Sequence, residues 1–248
     1  MNRRKPDLDE SSDAGVRVTR RTVLRGSAAA MVSALLGRMA FASSSERPAA
    51  ASEAFYDAWR ALSARLETEP TLREEGYIGE LEVLVARLAV DDMPRRQRVV
   101  FEQDGLKTGP AWFEGKLFIV ELTLDPGAVI RPHNHPAHNV VTVGVAGACT
   151  YEHYEPQGDA PPQKPDTPHF TVRRTRAGIL LPGRRSELTR TRDNIHTFRA
   201  GDEGATILDF TTTVGDPKLD FSELEIDMRP RGALGLLHEA RWLGNPYR

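Results

Sequence analysis

The sequence predicts a mainly β protein, a barrel or sandwich, preceded by amphipathic helices. Short apolar runs recur between residues 98 and 215, separated by turn signals such as Asp104-Gly105, Asp125-Pro126-Gly127 and Pro182-Gly183. Ahead of the runs, residues 52–93 carry apolar side chains at helical spacing. Neither region holds a glycine-rich strand-to-helix phosphate loop, so nothing points to a nucleotide.

Composition narrows the class. At ~100–200 residues per domain, a chain of 248 residues is one domain with appendages or two small domains. It is 40% apolar and 27% charged, which argues against a wholly disordered or fibrous chain. No apolar stretch reaches the ~18–20 uncharged residues of a membrane span in a mature chain. The single cysteine, Cys149, rules out an intramolecular disulfide and a multi-cysteine metal site within one chain. It reads as a small buried apolar residue. The pI of about 6.4 removes the simplest electrostatic case for nucleic acid binding.

The elements follow in order. Residues 1–42 read as an export signal of the twin-arginine type: Arg20-Arg21 stands before the mildly apolar stretch 26–36, and Ala40-Phe41-Ala42 is a small-x-small cleavage pattern. Such a signal implies the twin-arginine export machinery as a partner and a periplasmic or otherwise exported location. Cleavage after Ala42 leaves 25 basic and 31 acidic residues, a net charge of −6. A basic arm that stays attached is the plainer alternative, and Arg38 late in the apolar stretch favours it. Residues 43–51, rich in Ser, Ala and Pro, read as a linker. Phe55, Trp59, Leu62 and Leu66 mark one face of a helix, and Ile78, Leu81, Leu84, Val85 and Leu88 mark a second. Pro94 stops any continuation. These helices are expected to cover one end of the barrel. Strands are expected at 98–102, 117–124, 139–146, 149–154, 169–173, 179–181, 195–198 and 205–211. In the extension 216–248, Leu234, Leu237 and Arg241-Trp242 hint at a final short helix.

Three of the seven histidines cluster at His133, His135 and His138. On a strand, residues i and i+2 share a face, so His133 and His135 can reach one metal ion. His196, in a strand-like stretch 61 residues after His135, can supply a third imidazole. Imidazole suits iron, copper, nickel and zinc. The plainer reading of the His-x-His pair is chance or a hydrogen-bonded surface pair. The Pro126-Gly127 turn before it and the later strand histidine favour the metal site.

These residues carry a family resemblance. Gly127-x5-His133-x-His135 resembles the first motif of the cupin superfamily, a double-stranded β-helix barrel. More narrowly, Pro132-His-Asn-His-Pro136 through Val143, with Asn194-Ile-His196-x-Phe198-x-Ala200 and then Leu208-Asp209, is similar to the thiol dioxygenases. The branch includes cysteamine dioxygenase, the plant cysteine oxidases and, more distantly, cysteine dioxygenase. The likeness covers residues 98–215, which makes that span the cupin barrel and leaves 216–248 as an extension. It implies that His133, His135 and His196 hold Fe(II), and that a small thiol and O2 are the substrates. Most cupins add a glutamate to the first motif, where this chain has Asn139 or Val140. Its loss disfavours the oxalate-type manganese enzymes and fits a three-histidine site. Export is a second departure, because the known relatives act inside cells.

Three neutral imidazoles leave Fe(II) its full charge, which favours an anionic thiolate, and a bound metal deprotonates a thiol. Holding both reactants on one ion makes their encounter local. The implied product is a sulfinic acid. Around the ligands, Tyr151 and Tyr154 are candidate catalytic hydrogen-bond donors, and His153 shares the face of Tyr151. Core packing is the plainer role for each aromatic. Arg131, two residues before His133, shares its face on a regular strand and is a candidate for a substrate carboxylate. Arg184, Arg185, Arg190 and Arg192 read as a solvated loop. Two other functions stay open: another metal-dependent cupin oxygenase or isomerase, and a non-catalytic periplasmic cupin that binds a metal or a small ligand.

Overall fold

The computed structural model describes residues 50–69, 71–165, 167–216, 221–232 and 234–244. The expected signal, residues 1–42, and most of the linker lie outside them. Helix α1 (Ala50–Thr68) and helix α2 (Glu74–Ala86) come first, followed by a 3-10 turn at Val90–Asp92. Ten strands follow: β1 (Phe101–Gln103), β2 (Leu106–Glu114), β3 (Leu117–Leu124), β4 (Val129–Asn134), β5 (His138–Pro156), β6 (Phe170–Leu180), β7 (Arg185–Leu188), β8 (Ile195–Thr213), β9 (Glu223–Ile226) and β10 (Leu237–Gly244). The fold class is the expected one, a mainly β barrel behind two helices.

The barrel is one folded sheet. Strands β5 and β8 pair along nearly their whole length, from His138↔Thr213 to Tyr154↔Ile195. One half of this long ladder joins β3 and β7, and the other half joins β4 and β6. Bulges at Gly144/Ala146 and Gly147/Cys149 bend β5 from one layer to the other. Gly147 has φ +66°, and a Cβ there would lie 2.2 Å from the Gly204 carbonyl oxygen. Only glycine fits that corner. The runs expected as separate strands at 139–146 and 149–154 are therefore one bent strand, and so are those at 195–198 and 205–211.

The helices pack on a face of the barrel, where the sequence pointed to an end. Phe55, Trp59, Leu62, Ile78, Leu81 and Val85 are buried against Ile119, Val141, Val143, Leu208 and Phe210. Burial of each large apolar side chain stabilises by ~1.5–3 kcal/mol. The Trp59 indole N–H lies 3.1 Å from both Tyr77 Oη and Thr212 Oγ1, which ties both helices to β8.

Two further corrections concern strands. The hint of a C-terminal helix fails: residues 237–244 form β10, in which His238, Ala240 and Trp242 alternate inward. Leu234 and Leu237 fit either spacing, whereas this alternation has the period of two that a strand requires. Arg185, read as loop, sits on β7.

Candidate metal centre

The three predicted ligands converge. His133 closes β4, His196 opens β8, and the two residues are direct partners across the sheet. His135 follows β4 in the turn that leads to β5. The Nε2 atoms form a nearly regular triangle, with sides of 3.1 Å (His133–His135), 3.0 Å (His135–His196) and 2.9 Å (His196–His133). Among the described residues, these three form the one group of side chains that converges in the manner of metal ligands.

The backbone explains why the rings are held so. The His133 Nδ1 lies 2.8 Å from the Arg131 carbonyl oxygen. A carbonyl only accepts, so Nδ1 carries the proton and Nε2 keeps its lone pair. Asn194 clamps the turn: its Oδ1 accepts from the His135 N–H at 2.8 Å, and its Nδ2 donates to the His135 carbonyl at 3.0 Å. Asn194 stood in the second motif without a role. It also donates to the Thr189 and Arg190 carbonyls, at 3.3 and 2.6 Å, and so ties the His135 turn to the loop that precedes β8. Asn134 performs a similar service, its Oδ1 accepting from the Ser222 N–H at 2.6 Å.

All three rings are at least 94% buried. Burial pushes His133 down to about 4, and holds His135 and His196 well below the usual histidine range, helped by their mutual proximity. The set is neutral. Neutral lone pairs aimed at one another do not stabilise a cavity by themselves, but they fit a cation. A metal ion bound ~2.1 Å from each nitrogen would hold them ~3–3.4 Å apart. The observed triangle is small enough for all three Nε2 atoms to reach one ion. Asn139 turns away, with its Oδ1 accepting from the Arg190 N–H at 3.2 Å. No carboxylate belongs to this set.

The structure divides the surrounding candidates. Tyr151 lies one layer out: its ring centroid is 5.2 Å from His153, and His153 is 5.8 Å from His196. A Cβ on Gly178 would meet the Tyr151 ring at 2.8 Å, so that glycine makes room for it. Tyr154 is not brought to the histidines. It faces outward in a separate core with Val172, Ile195, Leu224 and Trp242, and its hydroxyl donates to Glu152 at 2.7 Å. Arg131 does not follow the regular register. A bulge lies between Ile130, which pairs with Phe198, and His133, which pairs with His196. Its guanidinium is 4.0 Å from Glu223 and lines a cavity outside the histidine cluster.

The sequence places His138 in the histidine cluster and Asp209 at the end of the second motif, and both are buried in the structure. His138 is buried and pushed down to about 4 by burial, with its ring 6.1 Å from that of His135. Asp209 lies on the inner face of β8. Burial raises its carboxyl to about 6, against the opposing effect of the Thr142 hydroxyl that donates to it at 2.6 Å. His153 adds a third polar contact, its Nε2 lying 3.0 Å from Ser186 Oγ. The alternation of polar residues inside otherwise apolar strands was the available clue to both.

No protein-family model matches the sequence, and no curated protein matches it. Among solved structures, KdgF from Halomonas sp. is similar over 50% of this chain and 92% of its own, at 20% identity and a TM-score of 0.35. The coconut allergen cocosin is similar over 53% of this chain and 32% of its own, at 15% identity and a TM-score of 0.38. Pumpkin seed globulin is similar over 49% and 30%, at 16% identity and a TM-score of 0.37. This chain thus spans about a third of the length of cocosin and of the pumpkin globulin.

Proposed function

We propose that the protein is an exported, non-haem Fe(II) thiol dioxygenase of the cupin superfamily. It would oxidise a small cysteine-like or cysteamine-like thiol with O2 to the sulfinic acid, both oxygen atoms passing to sulfur. The observation that carries the reading is the triangle of neutral Nε2 atoms, a converging set that includes no carboxylate. Fe(II) held there would supply the Lewis acidity that deprotonates a thiol and the redox capacity that activates dioxygen.

The chain supplies the rest. The Arg131 carbonyl keeps the His133 lone pair directed inward, and Asn194 fixes the backbone of His135. Burial excludes water and keeps the imidazoles unprotonated, so the site's net charge is that of the ion and favours an anionic sulfur. His153, hydrogen-bonded to Ser186, and Tyr151 beyond it offer polar groups on the same inner face.

Oxygen uptake tests the reading. The full chain is loaded with Fe(II) without air, then given cysteine, cysteamine, 3-mercaptopropionate and a peptide that begins with cysteine. Thiol-dependent uptake with a sulfinate product is expected, and the order of the thiols tells whether a carboxylate is recognised. No uptake by iron-loaded protein overturns the assignment. Export is tested separately: changing Arg20→Lys and Arg21→Lys together is expected to keep the protein out of the periplasmic fraction.

A further inference from the structure

The second layer of the barrel closes on itself. Strands β8, β4, β9, β10, β6 and β5 neighbour one another in that order, and β5 pairs again with β8. The result is a six-stranded ring on the side of the β5–β8 ladder that faces away from the histidines. One end is filled by Tyr154, Val172, Ile195, Leu224 and Trp242. The other end is a cavity of about 810 Å³. That volume falls in the range of small-molecule sites, and the mouth of a barrel is a common place for one.

We propose that this ring binds a small amphipathic anion, an aliphatic chain that ends in a carboxylate. The walls supply the apolar half of the recognition through Val129, Leu224, Ile226, Met228 and Leu243. Met228 and Val129 stand 60% and 38% exposed, apolar side chains left in water at the opening. The charges supply the other half. Three arginines, Arg131, Arg199 and Arg241, line the same cavity with two glutamates, Glu152 and Glu225. Both glutamates are engaged: Glu152 by Arg174 and the Tyr154 hydroxyl, and Glu225 by Arg241. Arg131 reaches Glu223 only at 4.0 Å. Arg199 has no acidic partner among the described residues, and it pairs in register with Val129 at the rim. A cation beside an apolar pocket with no internal counter-ion selects a ligand with an anionic end and an apolar body.

The ring carries its own reporter. Trp242 lies in its core, stacked on Phe170 with centroids 5.5 Å apart, whereas Trp59 and Trp112 pack with the helices on the other layer. The test is titration of the full chain with a brominated decanoate, whose bromine quenches a nearby indole. Saturable quenching is expected, and it is lost in Trp242→Phe while the fold persists by circular dichroism. Arg199→Glu is expected to weaken binding by about tenfold or more, the effect of one charge-assisted hydrogen bond. Brominated decanol is expected to bind the unaltered protein as weakly as the acid binds that variant. Thr197→Trp, which fills the cavity from its floor, is expected to abolish binding. Quenching that does not saturate, that survives Arg199→Glu unchanged, or that persists in Thr197→Trp overturns the proposal. So does binding to anionic phospholipid vesicles without binding to free decanoate, which would make the rim a membrane-contact surface. None of these readouts depends on iron.

Discussion

The two faces of the β5–β8 ladder do opposite things with the same strands. His153 of β5 and His196 and Phe198 of β8 point into the barrel. Tyr154 of β5 and Ile195 of β8, next in the chain to His153 and His196, point out into the six-stranded ring. The inner face is dry and stocked with imidazoles, so burial strips their protons and leaves lone pairs that only a cation satisfies. The outer face is apolar at its base and wet at its rim, where its arginines stand. A pleat with a period of two allows both, because the demands of one face never fall on a residue of the other.

Replacing a ligand disturbs the inner face most. His196→Ala removes one of three donors and is expected to reduce metal affinity by more than ~100-fold, beyond the effect of losing an outer partner of a ligand. Metal retained after dialysis measures it. Thr197→Ala, one residue along on the other face, loses only a hydrogen bond to the Ile130 carbonyl and is expected to keep its metal. Equal losses in the two variants would show that the faces are not independent.

A pH experiment sharpens the account of the dry interior. Asp209 in the folded protein titrates near 6, against an ordinary value of 3.8. Between those values the folded chain holds a proton that the unfolded chain has lost. The contribution of this carboxyl to stability therefore falls as pH rises through that window, by on the order of 3 kcal/mol, and the loss is complete above it. The buried histidines act the other way: His133 falls from 6.5 to about 4 on folding, so its contribution rises with pH over the same range. Asp209→Asn cannot ionise, so its urea midpoint is expected to rise more steeply between those values than that of the unaltered protein. Parallel slopes in the two proteins would place the titrating group elsewhere.

Much of this was legible in the sequence, for reasons that differ by element. His133, His135 and His196 could be read because two share a strand face by spacing alone and the third sits in a distinct motif. The helices could be read from their apolar stripes, but the surface they cover could not, since a stripe does not say what it meets. Arg131 was misplaced by one bulge, which a sequence does not announce. The outward turn of Tyr154 follows from parity with His153, yet parity cannot say which residue of a pair faces the metal until one ligand is placed. The β9–β10 hairpin stayed hidden because strands of four and eight residues gain their identity from distant partners: β9 from β4, and β10 from β6. The six-stranded ring was therefore invisible, since two of its six strands, β9 and β10, lie in the stretch 216–248 that reads as an extension.

The smallest effect tests the outer face alone. Tyr154→Phe deletes the hydroxyl that donates to Glu152 at 2.7 Å and leaves the ring in place. Glu152 keeps Arg174, at 2.8 Å, so no carboxylate is left without a partner. The loss is then one hydrogen bond to a charged group, ~1–2 kcal/mol and near the lower limit for such bonds, because the arginine still compensates. Chemical denaturation measures it. Metal content and oxygen uptake are expected to match those of the unaltered protein, since Tyr154 contacts neither the three rings nor the Tyr151–His153 pair. A variant with normal stability but reduced turnover would reverse the assignment of this tyrosine to the outer face and carry the catalytic surroundings through the sheet.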